Sequence, residues 1–310
     1  MCTMAIKTGP RQASSSQPAA GTVQRIAVGI NGFPEGEDAL TLAALVASAT
    51  EAELMLVAVH PENLFVLPAG MDWSSLRDAA HATLRDARKR VVPGARMVVE
   101  SDLSVPRALQ RVVRRHHRDL LIVGSSRHAA DGTVQLSKRT RQLLGQLACS
   151  LAVAPRGFHA KRAPVLARVG VGYDASKESE AALELAASIA AGAGASLHVQ
   201  GVIDDRSPPL GWSSVAHAVA EYWAAMADPM MEALRQDAQV ATRAVAAPVQ
   251  IDIRRGRPAD ALLTLSRRVD LLLIGSRRWG PLARLLVGNT GDALLQGAHC
   301  PVIAVLRPSA

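Results

Sequence analysis

Two stretches of this chain are copies of one another, and that limits the architecture more than any other feature. Asp119-Leu-Leu-Ile-Val-Gly-Ser-Ser-Arg127 matches Asp270-Leu-Leu-Leu-Ile-Gly-Ser-Arg-Arg278 at an offset of 151. The same offset lays Ala148-Cys149-Ser-Leu-Ala-Val153 over His299-Cys300-Pro-Val-Ile-Ala304. A third pair, Arg25-Ile-Ala-Val-Gly-Ile-Asn31 and Arg168-Val-Gly-Val-Gly-Tyr-Asp174, matches at 143, so the second copy carries about eight more residues in its middle. A period this long means domain duplication; a solenoid repeats every ~20–50 residues.

Within each copy, short apolar runs without alternation recur between helix-length amphipathic segments. Such runs fit strands buried on both faces. Alternation of strand and crossover helix predicts a mostly parallel sheet. Each half reads β-α-β-α-β-α-β-α-β. The expected fold is therefore α/β, two tandem flavodoxin- or Rossmann-like doubly wound domains with five-stranded parallel sheets. Boundaries are expected at 23–156 and 165–308, joined by a Pro- and base-rich linker, after a disordered tail at 1–22. Helices are expected at 139–147, 213–246 (bent or broken near Pro229) and 291–297, and an irregular basic loop after a strand at 271–274.

The strand–glycine–loop–helix order of 270–290 is where an open parallel sheet holds an anion. Backbone amides point outward there, at the carboxyl ends of the strands. The P-loop spacing, a nucleophile elbow and a zinc-protease motif are all absent from the sequence. This points to binding rather than turnover.

The net charge of +8 and pI near 10.1 admit two readings, a nucleic-acid patch or a solvated Arg-rich surface. With only 3% aromatic residues, base-stacking platforms are scarce, so nucleic acid is the lesser reading. No apolar run reaches the ~20 residues of a membrane helix. Met1–Gly21, rich in Ser, Gln, Ala and Gly, has no signal-peptide core. Cys2, Cys149 and Cys300 form no C-x-x-C pair, so a disulfide framework or zinc site is not expected and a reducing cytoplasm is the simpler setting. Cys149 and Cys300 read as buried small hydrophobes.

Taken together, these motifs resemble the universal stress protein family in its tandem-domain form, over nearly the whole chain from about Arg25 to Arg307. Nucleotide-binding members carry Gly, two residues, Gly, nine residues, then Gly and Ser or Thr after strand four. They also use an Asp at the end of strand one and backbone at the end of strand two. In the second copy Gly275 and Gly288 match the outer glycines, Asp174 the strand-one Asp and Val202 the strand-two position. Arg278 stands at the middle Gly and Asn289 at the hydroxyl position, with Thr290 one residue on. The first copy keeps Gly124 but has Arg127, Ser137 and Lys138 at the other motif positions and Asn31 for the Asp.

The resemblance implies ATP, with Mg²⁺ as a companion ion, in the second domain and a degenerate site in the first. It also implies pairing of the domains within one chain, and it is compatible with a homodimer. The cofactor-binding candidates are Asp174, Val202, Gly275, Arg278, Gly288, Asn289 and Thr290; no catalytic or metal-ligating residue is assigned. Arg278 would carry a strain cost of about 1 kcal/mol if the loop needs a left-handed residue there, while its guanidinium suits phosphate. Asn289 is a good helix N-cap. Trp279 reads as adenine-stacking or as ordinary packing. The expected role is a cytoplasmic, non-catalytic regulator of stress tolerance. The alternatives are a weak ATPase with Asp174 assisting Mg²⁺, or a nucleotide-independent interaction protein.

Overall fold

The computed structural model describes residues 23–60, 73–91, 94–136, 141, 147–161, 164–204, 214–279, 284–286 and 288–306. In the N-terminal half the strands are β1 (Arg25–Ile30), β2 (Glu53–His60), β3 (Arg96–Ser101), β4 (Leu120–Gly124) and β5 (Ser150–Ala154). Helices α1 (Pro34–Thr50), α2 (Trp73–Val91) and α3 (Val105–Arg115) connect them. The C-terminal half repeats the plan with β6 (Arg168–Tyr173), β7 (Ser196–Ile203), β8 (Val249–Arg255), β9 (Leu271–Trp279), β10 (Arg284–Leu286) and β11 (Val302–Leu306). Its helices are α4 (Lys177–Ala193), α5 (Ser214–Thr242), α6 (Pro258–Leu265) and α7 (Asn289–Leu294). The tail at 1–22 and most of the helix expected at 139–147 lie outside the described residues.

Ten strands form one continuous sheet in the order β3-β2-β1-β4-β5-β11-β9-β6-β7-β8, with β10 attached to β9 alone. Each half has the 3-2-1-4-5 order of a Rossmann half-sheet, parallel throughout. The halves meet where β5 and β11 run antiparallel, Val153 opposite Val302 and Leu151 opposite Ala304. Both strands are buried along their whole length, which is why their apolar runs do not alternate. The Ser150 hydroxyl accepts the Leu306 amide across this junction at 3.0 Å.

A second contact sits on the pseudo-twofold axis. Helices α1 and α4 cross at Ala49 and Gly192, which are equivalent positions of the two copies. A Cβ on Gly192 would lie 1.9 Å from the Ala49 carbonyl oxygen, so only glycine permits this approach. The segment after β5 is tied back to α1 by Asp38. Its fully buried carboxylate accepts the Gly157 and His159 amides at 2.9 and 2.8 Å and contacts His159 Nδ1 at 2.6 Å. A buried carboxylate without such partners would cost several kcal/mol.

The repeated Asp that opens the duplicated motif now has a reason. Asp119 Oδ2 accepts the amides of Gln24 and Arg25, and Asp270 Oδ2 those of Ala167 and Arg168. Each Asp thus pins the start of its first strand to its fourth.

Two expectations are corrected. The strand expected to end at Ile274 runs on to Trp279, and Arg277–Trp279 pair antiparallel with Arg284–Leu286. The segment read as an irregular loop is a strand extension folded into a hairpin, because hydrogen bonding to β10 satisfies its backbone. Helix α5 passes Pro229 without interruption; the single missing amide does not end it.

Candidate functional site

The C-terminal half has its topological switch point between β6 and β9. From β6 the sheet continues to β7, and from β9 it continues to β11. At the carboxyl ends of these strands lies an open cavity of about 470 Å³. Six of the seven expected residues line it: Asp174, Val202, Gly275, Gly288, Asn289 and Thr290. Leu262 and Ile274 supply apolar wall. The seventh is Arg278. Its backbone lies in β9 opposite Leu285, and its side chain is outside the described residues, as are those of Arg277 and Trp279. Arg278 is not in the left-handed region, so the expected strain does not arise there.

The two glycines are glycine for different reasons. A Cβ on Gly275 would lie 2.5 Å from the Glu178 carbonyl oxygen and 2.7 Å from the Ser179 amide nitrogen. Its small size therefore lets the N-terminus of α4 press on the strand end. Gly288 is the N-cap of α7, with φ −70° and ψ −180°, and a Cβ there would meet no atom of the described residues within 4 Å. Among the described residues no neighbour demands glycine at 288. Asn289, expected as the N-cap, is instead the first helical residue. Among the described residues no acceptor is hydrogen-bonded to the Asn289, Thr290 or Gly291 amides, whereas the Asp292 amide already reaches the Gly288 carbonyl at 2.8 Å.

Strain appears beside Asp174 instead. Ala175 has φ +58°, a left-handed conformation that costs about 1 kcal/mol for a residue with a Cβ. Its equivalent in the first copy is Gly32, at φ +74°. The turn aims Asp174 at the cavity. Asp174 Oδ1 accepts the Ser176 amide and hydroxyl at 3.1 and 2.5 Å, and Ser176 caps α4 by accepting the Ser179 amide at 3.2 Å. Tyr173 forms the wall behind. Burial, then the nearby Glu180, Asp237 and Asp174 carboxylates, raise its pKa, so its hydroxyl remains protonated.

Sequence reasoning missed Gln200, Ser176 and Ala175. Gln200 is buried in the cavity, with Nε2 donating to the Gly201 and Asp252 carbonyls at 3.1 and 2.9 Å. The signal was available: the equivalent residue of the first copy is Val57, so a polar group replaces an apolar one inside a strand.

The equivalent cavity of the N-terminal half encloses about 310 Å³. Val57, Val59, Leu109, Val123 and Leu136 line it beside Glu35, Ser125 and Ser126, and Asn31 stands where the other half has Asp174. The segment after β4 folds back over the strand ends. The Ser126 amide bonds the Gln135 carbonyl at 2.7 Å, and the Ser125 hydroxyl bonds the Gln135 amide and the Ala154 carbonyl at 3.1 and 2.7 Å. It then crosses to the other half: Val134 and Leu136 donate to the carbonyls of Ala298 and Leu295 at 2.7 and 3.1 Å. Arg141 pairs with Asp292 nearby. Ser137 and Lys138 lie outside the described residues.

Among the described residues no group of three or more His, Cys, Asp or Glu side chains is disposed to hold a metal ion. No described helix is long and apolar enough to cross a membrane. Cys149 and Cys300 are buried, as expected, and burial pushes the Cys149 thiol up to about 12 and the Cys300 thiol higher still.

Two Rossmann-order half-sheets fused through their last strands, each with a glycine in its fourth strand, define a duplicated α/β protein of the doubly wound class. The model of the universal stress protein family matches residues 22–155 and 166–305, and the chain belongs to that family. A universal stress protein of Mycolicibacterium smegmatis is 31% identical over 143 residues, covering 44% of this chain and 46% of that protein. The chain thus matches about half the length of this curated relative. A universal stress protein from Archaeoglobus fulgidus superposes with a TM-score of 0.62 at 15% identity, covering 93% of this chain and 98% of its own. A functionally unknown protein from Pseudomonas aeruginosa does so at 0.62 and 17%, covering 92% and 93%. At these identities the two structures speak for the fold alone.

Proposed function

We propose that this protein is a non-catalytic nucleotide-binding regulator of the stress response, with ATP held in the C-terminal crevice. The observation that carries the reading is Gly288: it borders a 470 Å³ cavity and none of the described residues requires it to be glycine. A ligand backing onto the start of α7 would require it, because a side chain there would project from the cavity wall. In this reading the amides of residues 289–291 and the Thr290 hydroxyl hold phosphate oxygens. Asp174, oriented by Ser176, accepts from a sugar hydroxyl. Backbone at Val202 and the apolar surfaces of Leu262 and Ile274 take the base. Mg²⁺ would accompany the phosphates and draw on their oxygens, since no metal-binding cluster is found among the described side chains. The sequence has neither a P-loop lysine nor a nucleophile elbow, which favours carriage or sensing over hydrolysis.

The test is direct. Purified protein is denatured and the released nucleotide identified by chromatography. ATP is expected, and Gly288→Trp is expected to abolish it while leaving the thermal unfolding midpoint in place. Nucleotide-free protein that shows no thermal shift with millimolar ATP and Mg²⁺ would overturn the assignment. ADP accumulating on incubation, and lost in Asp174→Ala, would overturn its non-catalytic part.

A further inference from the structure

Resting on the nucleotide reading above, we infer that Gln200 discriminates between bases in the C-terminal crevice: its amide oxygen selects a ring edge that carries an amino group, as adenine does, over one that carries a carbonyl. Gln200 lines the crevice yet is only 5% exposed. Its Nε2 donates to the carbonyls of Gly201 and Asp252 at 3.1 and 2.9 Å, which commits both amide protons. Two carbonyls can be met only by the amino end of the amide, so the side chain cannot turn over. Oε1 accepts no hydrogen bond from the described residues, and it is not sealed off from the surface. A buried side chain thus presents one oriented acceptor to whatever fills the crevice.

Its surroundings put this acceptor at the base end. Gly172, its partner on β6, also lines the crevice and adds no side chain to it. Val202 is two residues further along β7 and so on the same face, and Leu262 and Ile274 complete the wall. Strand β9, which leads towards α7, is two strands from β7, about 10 Å at the usual spacing. The Gln200 amide and the amides at the start of α7 therefore address opposite ends of a ligand.

The first copy shows that the sheet does not need an amide here. Val57 holds the position, pairs with Gly29 as Gln200 pairs with Gly172, and lines the smaller cavity. A strand of the same design closes around an apolar residue, so the polar one answers to what enters the crevice. An exocyclic amino group donates to Oε1. An oxo group sets one acceptor against another and strips the oxygen of water without replacing it.

The experiment is calorimetric titration of the full chain, freed of bound nucleotide, with ATP and with inosine triphosphate, each with Mg²⁺. Inosine triphosphate carries a carbonyl where ATP carries the amino group. ATP is expected to bind about tenfold more tightly or better. Gln200→Met, close in length but without the acceptor, should bring the ratio near one while still binding triphosphate. Gln200→Asn, which draws the oxygen back by one methylene, should do the same and serves if the Met protein does not fold. A structural role alone would weaken both nucleotides together and keep their ratio. Equal binding of the two by the unaltered protein, or a ratio that survives in the folded variants, overturns the inference and leaves the nucleotide reading standing. Binding of neither nucleotide overturns both.

Discussion

The two crevices descend from one sequence and sit at the same switch point, yet they use the segment after the fourth strand in opposite ways. In the N-terminal half that segment turns back, bonds Ser125 and Ser126 to Gln135, and delivers Val134 and Leu136 to the carbonyls of Ala298 and Leu295. It has become a clasp on the other half, and Leu136 occupies its own cavity wall. In the C-terminal half the segment makes a hairpin, and the start of α7 keeps its amides clear of described protein acceptors. Backbone amides are a limited resource: those that fasten the halves together are not available to a ligand. Duplication thus lets one copy secure the molecule and leaves the other open.

The sharpest way to break this comparison is at the glycines the copies share. Gly124→Ala would set a Cβ 2.0 Å from the Glu35 carbonyl oxygen, and Gly275→Ala would meet Glu178 at 2.5 Å. Each is expected to lower stability by about 1–3 kcal/mol in denaturant unfolding, because backbone cannot yield as a side-chain tip can. Gly288→Ala should change stability little, since no atom of the described residues lies within 4 Å. Equal losses at Gly275 and Gly288 would mean that both are merely structural.

Smaller effects sharpen the contrast. The copies exchange glycine at two left-handed positions: Gly32 against Ala175, and Glu51 against Gly194. Ala175→Gly and Glu51→Gly should each stabilise by about 1 kcal/mol, offset in part by the freer unfolded chain. If Ala175→Gly stabilises yet weakens nucleotide retention, the strained turn is what orients Asp174. The smallest expected effect is at Glu184, where the first copy has Thr41. Its folded-state pKa is raised, so the charged form is disfavoured and Glu184→Gln should be slightly more stable at neutral pH. That gain should shrink as pH falls through the raised pKa and vanish below the unfolded-state value, where both states are protonated. A gain that grows in acid would contradict the assigned cause. Thermal melts across this pH range measure it.

Much of this was legible in the residues. The strand–helix alternation of each copy foretold the two parallel half-sheets, and six of the seven candidates that the family resemblance implied line one cavity. The stretch after Ile274 was misread because its place was inferred from a loop pattern. Whether a basic stretch is loop or strand depends on a partner, here Arg284–Leu286, that periodicity does not reveal. Gln200 was missed although comparing the two copies singles it out.

Sequence by itself determined the duplication, the alternation of strand and helix and the locations of the small residues, because these rest on local periodicity and side-chain volume. Tertiary structure decided what each small residue is for. Gly192 admits a helix crossing, Gly275 admits a helix end, and Gly288 borders open space. Those distinctions depend on which atoms arrive from elsewhere in the chain, and no local pattern records an approach from so far along it.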